Sequence, residues 1–319
     1  MRVLVTGGFG LVGHSLQKVV NANNERDKGG HTFIFLSSKD CDLRDTDQVH
    51  KLFGLHTPEI VVHLASRVGG VYDNMNGNYS YLVDNSRINI NIVDACQKFG
   101  VQRLINCLST CIFPDKGVVY PLTSDQLHNG LPHNSNIGYA YSKRILHLAS
   151  HLLAKTSRLK VINVTPTNLY GEYDNYNLTS SHVIPGLIHK TYLAKKNGNN
   201  LTVYGTGNSM RQFVYVDDFS KIILKFIDLD TSENEISCIV SPPESEEVSI
   251  KTLIETITKT FTFSGKIVYD TTYSDGQYKK TATNMELFHY FPDFEFTNLE
   301  TGLQTTVDYF CKNYDTIRK

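Results

Sequence analysis

Apolar and polar positions along the first half of the chain switch repeatedly between two periods. Val3-Leu4-Val5 is a short continuous apolar run ending at Thr6, followed by glycines at 7, 10 and 13 and a helical pattern over residues 11–21. A second apolar run covers 31–36, a helical stretch 46–56, and a third apolar run 59–65. Continuous apolar runs, rather than alternating ones, are what a parallel sheet covered on both faces requires. The same switching predicts a long helix over 81–99, a strand over 103–109, a helix over 139–154 and a strand over 160–165. The polar stretch 23–30 reads as a loop, and the proline-bearing stretch from 110 to 136 as irregular. Strand–helix alternation over about 165 residues predicts an α/β fold built on a doubly wound parallel sheet.

Beyond Tyr170 the pattern changes. Residues 171–181 are polar and asparagine-rich, 182–196 read as a helix, 201–204 and 211–216 as short strands, and 218–229 as a helix. The run 235–241 predicts a strand that rejoins the main sheet, and 249–261 a further helix; the remainder reads as loops rich in Thr, Asp and Gly. The predicted organisation is a Rossmann domain over 1–169, with 212–241 returning to it. A smaller, discontinuous C-terminal substrate lobe is formed from 170–211 and 242–319. Ligands in such sheets bind outside the carboxyl ends of the strands, in the cleft this division creates.

Composition narrows the partners. The 319 residues are 40% hydrophobic and 20% charged, with a net charge of -1 and no long block of one sign. That balance argues against nucleic acid and membrane surfaces and leaves a small anionic ligand open. Neither a signal-peptide pattern nor an apolar run of membrane-spanning length is present. The six cysteines have no metal-binding spacing, so no metal is expected, and they suit a reducing cytoplasm.

The glycine spacing suggests the first ligand. Gly7-Gly8-Phe9-Gly10-Leu11-Val12-Gly13 follows a strand and opens a helix. In a dinucleotide site such glycines make the tight turn, admit a pyrophosphate to backbone N–H groups and let the helix sit close to the strand. The diphosphate then lies at the positive end of the helix. A plain strand–turn–helix is the alternative. The residues ending the second strand choose between NAD and NADP: Ser37, Ser38 and Lys39 suit a 2′-phosphate, while Asp40 close by keeps NAD open. Asp42, beside Leu43, either contacts the adenine or merely sits near the next helix start.

Tyr139-Ala-Tyr-Ser-Lys143 puts a phenol and an ammonium on one helix face. Ionising a free tyrosine at pH 7 costs about 4 kcal/mol, which a lysine one turn away offsets. With 18 tyrosines the pair is unspecific, and Tyr192…Lys196 is a second match. Ser109, at the end of the preceding strand, favours the first: two hydroxyls converging there can polarise a carbonyl oxygen beside a nicotinamide. Tyr192 reads as structural.

Ser109, Thr110, Tyr139 and Lys143 after the glycine fingerprint resemble the extended short-chain dehydrogenase/reductase superfamily. Dehydratases of that superfamily carry an acidic pair after the Ser/Thr. Here Cys111 follows, and the segment looks like the GDP-L-fucose synthase family, which epimerises C3 and C5 of GDP-4-keto-6-deoxy-D-mannose and reduces C4. The resemblance extends over His63-Leu64-Ala65-Ser66-Arg67-Val68-Gly69-Gly70, Pro166-Thr167-Asn168-Leu169-Tyr170-Gly171, Ser181-His182-Val183-Ile184-Pro185, Tyr204-Gly205-Thr206-Gly207 with Arg211-Gln212-Phe213, and Ser274-Asp275-Gly276 through Lys280. Some members have Trp where Tyr204 stands and Arg where Lys190 stands; a stacking ring and a cation are kept.

The resemblance implies roles. Ser109, Cys111, Tyr139, Lys143 and His182 are the catalytic set. NADP(H) is held by the glycine turn, Ser37, Ser38, Lys39, Asp42, Leu43, Leu64, Ala65, Lys143, Pro166, Asn168, Leu169 and His182. Substrate is contacted by Asn168, Lys190, Tyr204, Arg211, Asp275 and Lys280. The helices 81–99 and 139–154 are similar to the pair that builds a homodimer in the superfamily. The chemistry suits these residue types, since inverting a carbon beside a ketone needs a base on one face and an acid on the other, and thiol and imidazole titrate near neutrality. Taken singly, Cys111 is a small buried residue, His182 a polar helix start, and Lys190, Arg211 and Lys280 surface cations. A nucleotide-sugar 4-epimerase, or a non-catalytic NADP sensor, are the competing readings.

Overall fold

The apolar runs form the strands expected of them in the computed structural model, which describes residues 1–24, 30–273 and 275–319. In the first half, β1 (Arg2–Thr6), α1 (Leu11–Asn24), β2 (Thr32–Phe35), α2 (Thr46–His56), β3 (Ile60–His63), α3 (Val71–Lys98), β4 (Arg103–Cys107), α4 (Ile137–Thr156) and β5 (Lys160–Pro166) alternate. The second half runs β6 (Asn168–Tyr170), α5 (Val183–Asn197), β7 (Leu201–Tyr204), β8 (Met210–Arg211), β9 (Phe213–Tyr215), α6 (Val216–Asp228) and β10 (Glu235–Val240). It ends with β11 (Val248–Ser249), α7 (Ile250–Thr260), β12 (Ile267–Asp270), α8 (Met285–Tyr290) and α9 (Leu299–Lys312).

One six-stranded sheet, in the order β10-β5-β4-β3-β1-β2, is parallel throughout. Successive side chains on each strand face opposite sides. Leu4, Val61, Leu104 and Val161 therefore join the core under α2, α3 and α4, while Val3, Val5, Ile60, Val62, Ile105 and Ile162 join the core under α1 and α6. Burying each such side chain is worth about 1.5–3 kcal/mol, so both faces of the sheet are held. The strand order reverses between β1 and β3, which opens a crevice at their carboxyl ends. A third core, built from α5, α7, α9 and the small strands around them, includes Tyr176, Leu187, Leu253, Leu303 and Phe310.

Several expectations need correction. The long helix begins at Val71 instead of residue 81, because the polar residues of its first turns are engaged: Asn74 donates to the carbonyls of Gly69 and Gly70. The stretch 211–216 is two strands, β8 and β9, which pair with different partners. Strand β12 and helix α9 lie where only loops were legible. Helix α8 and Phe294, expected in the substrate lobe, join the core of the sheet. Of the loop expected over 23–30, residues 25–29 lie outside the described residues, and Asn24 ends α1.

Candidate active site

The turn after β1 is a cradle that tolerates no side chains on its floor. Gly7 has φ +70, and a Cβ there would meet the backbone N of Ala65 at 2.8 Å. A Cβ on Gly13 would lie 2.3 Å from the carbonyl carbon of Gly8, so only glycine lets α1 approach this closely. Gly10 differs: its Cβ would have only Gly7 O within 4 Å, at 3.5 Å, and would project into open space at the start of α1. The turn is fixed from outside by Gly8 N donating to Leu36 O at 2.8 Å and by Gln17 Nε2 donating to Gly8 O at 2.7 Å. On the far side, Ala65 N donates to Thr6 Oγ1 and Leu64 N to Thr6 O. An anion at a helix N-terminus above a glycine floor is the ligand this geometry fits.

At the end of β2, Asp40 is folded back. Its Oδ2 accepts from both the N–H and the hydroxyl of Ser37 at 2.7 Å, and these bonds hold the carboxyl below its ordinary range. Ser38 and Lys39 stay exposed. Asp42 is bound through both oxygens to Arg44, which takes its carboxyl down to about 2. Beside it lies a recess of about 520 Å³ lined by Asp42, Arg44, Asp45, Thr46, Asp47 and Arg87. Asp45, not Asp42, caps α2 by accepting from Asp47 N and Gln48 N. Leu43 rests against the core under α2.

The hydroxyl, thiol and ammonium groups meet beyond β4. Ser109 is the extended cap of a 3-10 turn, Thr110–Ile112, and its hydroxyl accepts from Cys111 N at 3.4 Å. The turn buries the Cys111 thiol beside Ser109, where the charges of Lys280 and Lys143 are felt. Burial pushes the thiol up; the Ser109 hydroxyl and the two ammonium groups pull it back. Tyr139 follows the start of α4, where Gly138 N donates to Asn78 Oδ1. Burial, and then the neighbouring sulfurs of Cys111 and Cys107, raise the Tyr139 phenol well above 10. Lys143 is 1% exposed and donates to Cys107 O at 2.8 Å, with burial lowering its value. Lys143 is thus turned to a backbone carbonyl, and only Ser66 among its neighbours opposes the rise of the Tyr139 phenol.

Of two further neighbours, Ser66 belongs to the loop already singled out after the third strand and Asn85 carries no motif signal. Ser66 is within hydrogen-bonding reach of the Tyr139 hydroxyl and donates to Asn85 Oδ1 at 3.0 Å. Asn85, fully buried on α3, also bonds the N–H and carbonyl of Arg67 and so shapes the loop after β3. His63 lies beneath them, bonded to Thr6 and Asn89; burial and then the Lys143 charge push it down to about 3, so it is a neutral strut.

The remaining residues spread over the second half of the chain. His182 is exposed as the extended N-cap of α5. Pro166 ends β5, Leu169 rests on the sheet core, and Asn168 spends its amide N–H on Gln212 O at 2.9 Å. Lys190 sits 3.6 Å above the Tyr204 ring, whose other neighbour is Tyr273, stacked at 4.0 Å. These two residues border a pocket of about 240 Å³ with Leu193, Asn197 and Asn200. Arg211 grips the carbonyls of Gln277 and Tyr278. Both oxygens of Asp275 are taken by Thr206, so it closes the turn after β7. Burial lowers the Lys280 ammonium and the Cys111 thiol is among the groups whose charge opposes that, a neighbour not expected for a substrate-contacting cation. Ser274, the start of that segment, lies outside the described residues.

Comparison with known proteins agrees with this geometry. Residues 3–238 match the NAD dependent epimerase/dehydratase family. The chain is 44% identical to a GDP-L-fucose synthase of Dictyostelium discoideum, over 99% of this chain and 97% of that protein. It is 40% identical to a probable GDP-L-fucose synthase of Drosophila melanogaster, over 100% and 99% of the two chains. A solved GDP-L-fucose synthetase of Naegleria fowleri bound to NADP superposes with a TM-score of 0.91 at 40% identity, over 100% of this chain and 95% of that one. The chain belongs to the NAD dependent epimerase/dehydratase family and, within it, to the GDP-L-fucose synthases.

Proposed function

We propose that the protein converts GDP-4-keto-6-deoxy-D-mannose to GDP-L-fucose, inverting C3 and C5 and then reducing the C4 ketone at the expense of NADPH. The observation that carries this reading is the buried Cys111 thiol held among Ser109, Lys143 and Lys280, with Tyr139 alongside, in a chain 44% identical over its length to a GDP-L-fucose synthase. NADPH fits the glycine cradle, the Ser37–Lys39 corner, Leu43, Leu64, Ala65 and Lys143, where it supplies hydride to C4. Residues 1–169 with 212–241 form the cofactor part. Residues 170–211 and 242–319 form the substrate part, apart from the α8 segment that joins the sheet core.

Protons at C3 and C5 of a 4-keto sugar are acidic because the resulting charge is shared with the ketone oxygen. Cys111 removes them. A thiol pushed up by burial is the stronger base, and the two ammonium groups stabilise the thiolate while it waits. Ser109 and Tyr139 donate to the developing enolate oxygen, the preorganised arrangement that stabilises charge most effectively. His182 returns the proton from the opposite face. In the reduction, Tyr139 gives its proton to the C4 oxygen, a task its neutral state suits. Lys190 and Arg211 serve the diphosphate, Tyr204 offers a stacking face, Asn168 contacts the sugar, and Asp275 keeps the turn beside them closed.

A homodimer in the cytoplasm completes the proposal. Exposed apolar residues on α3 (Met75, Tyr79, Ile90) and α4 (Leu148, Leu152) support pairing through these helices. All six cysteines are free, as suits a reducing compartment. No helix of the described residues is long and apolar enough to cross a membrane. Sedimentation at twice the chain mass supports the dimer, and a monomer refutes it. For the activity, NADPH absorbance is followed with GDP-4-keto-6-deoxy-D-mannose. Stoichiometric oxidation supports the proposal; sugar inversion without oxidation points to a 4-epimerase, and no change to a cofactor sensor.

A further inference from the structure

The turn that follows β6 is strained at a residue whose ring is not buried. Tyr173 stands at φ +66, in the left-handed region that a bulky residue rarely adopts. Thr57 and Thr262 also have positive φ, but they close the ends of α2 and α7, where that conformation is common. Tyr173 ends no helix, and glycine would take its place in the turn without strain. The ring is 41% exposed, so packing in a core does not account for it. What it touches does.

We propose that Tyr173 is a positioning residue for the cofactor, clamping His14 and through it the glycine turn at the start of α1. The inference rests on the reading that NADPH lies in that turn. The Tyr173 ring is parallel to the His14 imidazole, with 2° between planes and 4.5 Å between centroids. Phe9, inside the glycine turn, meets the same imidazole edge-to-face at 5.7 Å. Between these two rings the imidazole places Nδ1 at 3.1 Å from Gly10 O. A carbonyl only accepts, so Nδ1 is the donor. Gly10 O therefore takes two bonds from one residue, this one and the backbone bond from His14 N at 2.9 Å. Gly10 has no side chain to hold it, and the histidine anchors it from the helix side.

The clamp is itself tied to the other half of the chain. Tyr309 on α9 packs on Tyr173 at 4.8 Å. Beside Tyr173, Glu172 accepts from Lys18 Nζ at 3.0 Å and from the Tyr215 hydroxyl at 2.9 Å, and Lys18 also reaches Asp217 at 2.8 Å. His14 and Lys18, one turn apart on α1, thus both meet the turn after β6. A loop that takes a diphosphate through backbone N–H groups binds better when it is already rigid, because ordering it on binding subtracts from affinity. The row of rings Phe9, His14, Tyr173 and Tyr309 supplies that rigidity and joins the cofactor part to the substrate part.

The test is Tyr173→Gly, which removes the ring and relieves the backbone. Lys18 keeps its bonds to Glu172 and Asp217, so the fold should hold. NADPH dissociation constants are measured by fluorescence titration, and amide exchange over residues 8–14 is followed by mass spectrometry in cofactor-free protein. In Tyr173→Gly the NADPH constant should rise about fivefold, the scale of a residue that acts through one neighbour, and exchange over 8–14 should quicken. Tyr173→Phe should behave as wild type in both. His14→Ala should weaken NADPH as much, and adding Tyr173→Gly to it should weaken binding no further. Unchanged affinity in Tyr173→Gly, or losses that simply add in the double variant, overturn the proposal. Should Tyr173→Gly fail to fold, His14→Ala alone decides, and wild-type affinity there overturns it. If wild-type protein binds no NADPH, the cofactor reading falls; exchange then decides the clamp by itself, and equal rates in wild type and Tyr173→Gly overturn it.

Discussion

Tyr139→Phe removes one oxygen from the site and tests the division of labour there. The cost to the fold is small. The Tyr139 hydroxyl reaches Ser66, and Ser66 keeps its bond to Asn85 at 3.0 Å when the phenol is gone. No buried group is orphaned, so stability should change by about 1 kcal/mol or less. The cost to catalysis is larger, because loss of a positioned acid is worth a factor of about 10² to 10⁴. At 1.36 kcal/mol per decade that is about 2.7–5.4 kcal/mol of activation free energy. Rapid-mixing absorbance of NADPH reports the reduction, and fluorescence titration reports cofactor affinity, which should hold. Tyr192→Phe is the control. Its ring lies 4.4 Å from Tyr314 and 5.4 Å from Phe310, in the third core, and its reduction rate should stay within about twofold of wild type. Equal behaviour of the two variants, or a Tyr139→Phe rate above a tenth of wild type, refutes the assignment. Since the phenol is raised well above 10 by burial, the reduction step should show no loss from tyrosine ionisation up to about pH 10.

Two further outcomes follow from the same geometry. With Asp40 bonded to Ser37 and the Ser38–Lys39 corner exposed, NADPH should bind at least tenfold better than NADH, about 1.4 kcal/mol; Ser38→Asp should erase the gap, and equal wild-type affinities contradict it. His63 is fully buried and pushed down to about 3, so from about pH 6.5 to 3 the unfolded chain binds a proton that the folded chain refuses. Stability then falls with acid by up to about 1.4 kcal/mol per pH unit from this residue alone. His63→Gln should flatten the melting temperature against pH in that window, and an unchanged slope would show the residue is not the cause.

The parts of the fold legible in the chain were those where the local pattern matches the tertiary demand. Val3–Val5 and Ile60–Val62 are apolar because both their faces are covered, and nothing else reads that way. The start of α3 was hidden because Asn74 and Asn78 resemble loop residues, yet their amides bond the carbonyls of Gly69, Gly70 and Asn134. Helix α9 keeps Leu303, Val307 and Phe310 on one buried face, but threonines between them masked the period. In the site, helical spacing pairs Tyr139 with Lys143 and the strand end singles out Ser109, whereas Cys111 enters only through the family resemblance. Asn85 shapes the loop after β3 through bonds to Ser66 and Arg67, distant in sequence, which no local pattern encodes. Lys280 was read as a substrate cation; its closeness to Cys111 depends on Gln212, which bonds both N–H and carbonyl of Ala282 and anchors the segment carrying it.

Protons lost and regained at carbon are the centre of this account, and solvent deuterium reads them directly. Enzyme, NADPH and GDP-4-keto-6-deoxy-D-mannose are combined in deuterated water and the product sugar is analysed by mass and configuration. Wild-type enzyme should yield GDP-L-fucose carrying deuterium at both C3 and C5, with one NADPH consumed per sugar. Cys111→Ser exchanges a thiol of ordinary value near 8.5 for an alcohol far harder to ionise in nearly the same volume. That variant should lose both deuteriums while still binding NADPH. Doubly deuterated L-fucose product formed by Cys111→Ser at close to the wild-type rate would contradict the account and leave Cys111 a packing residue.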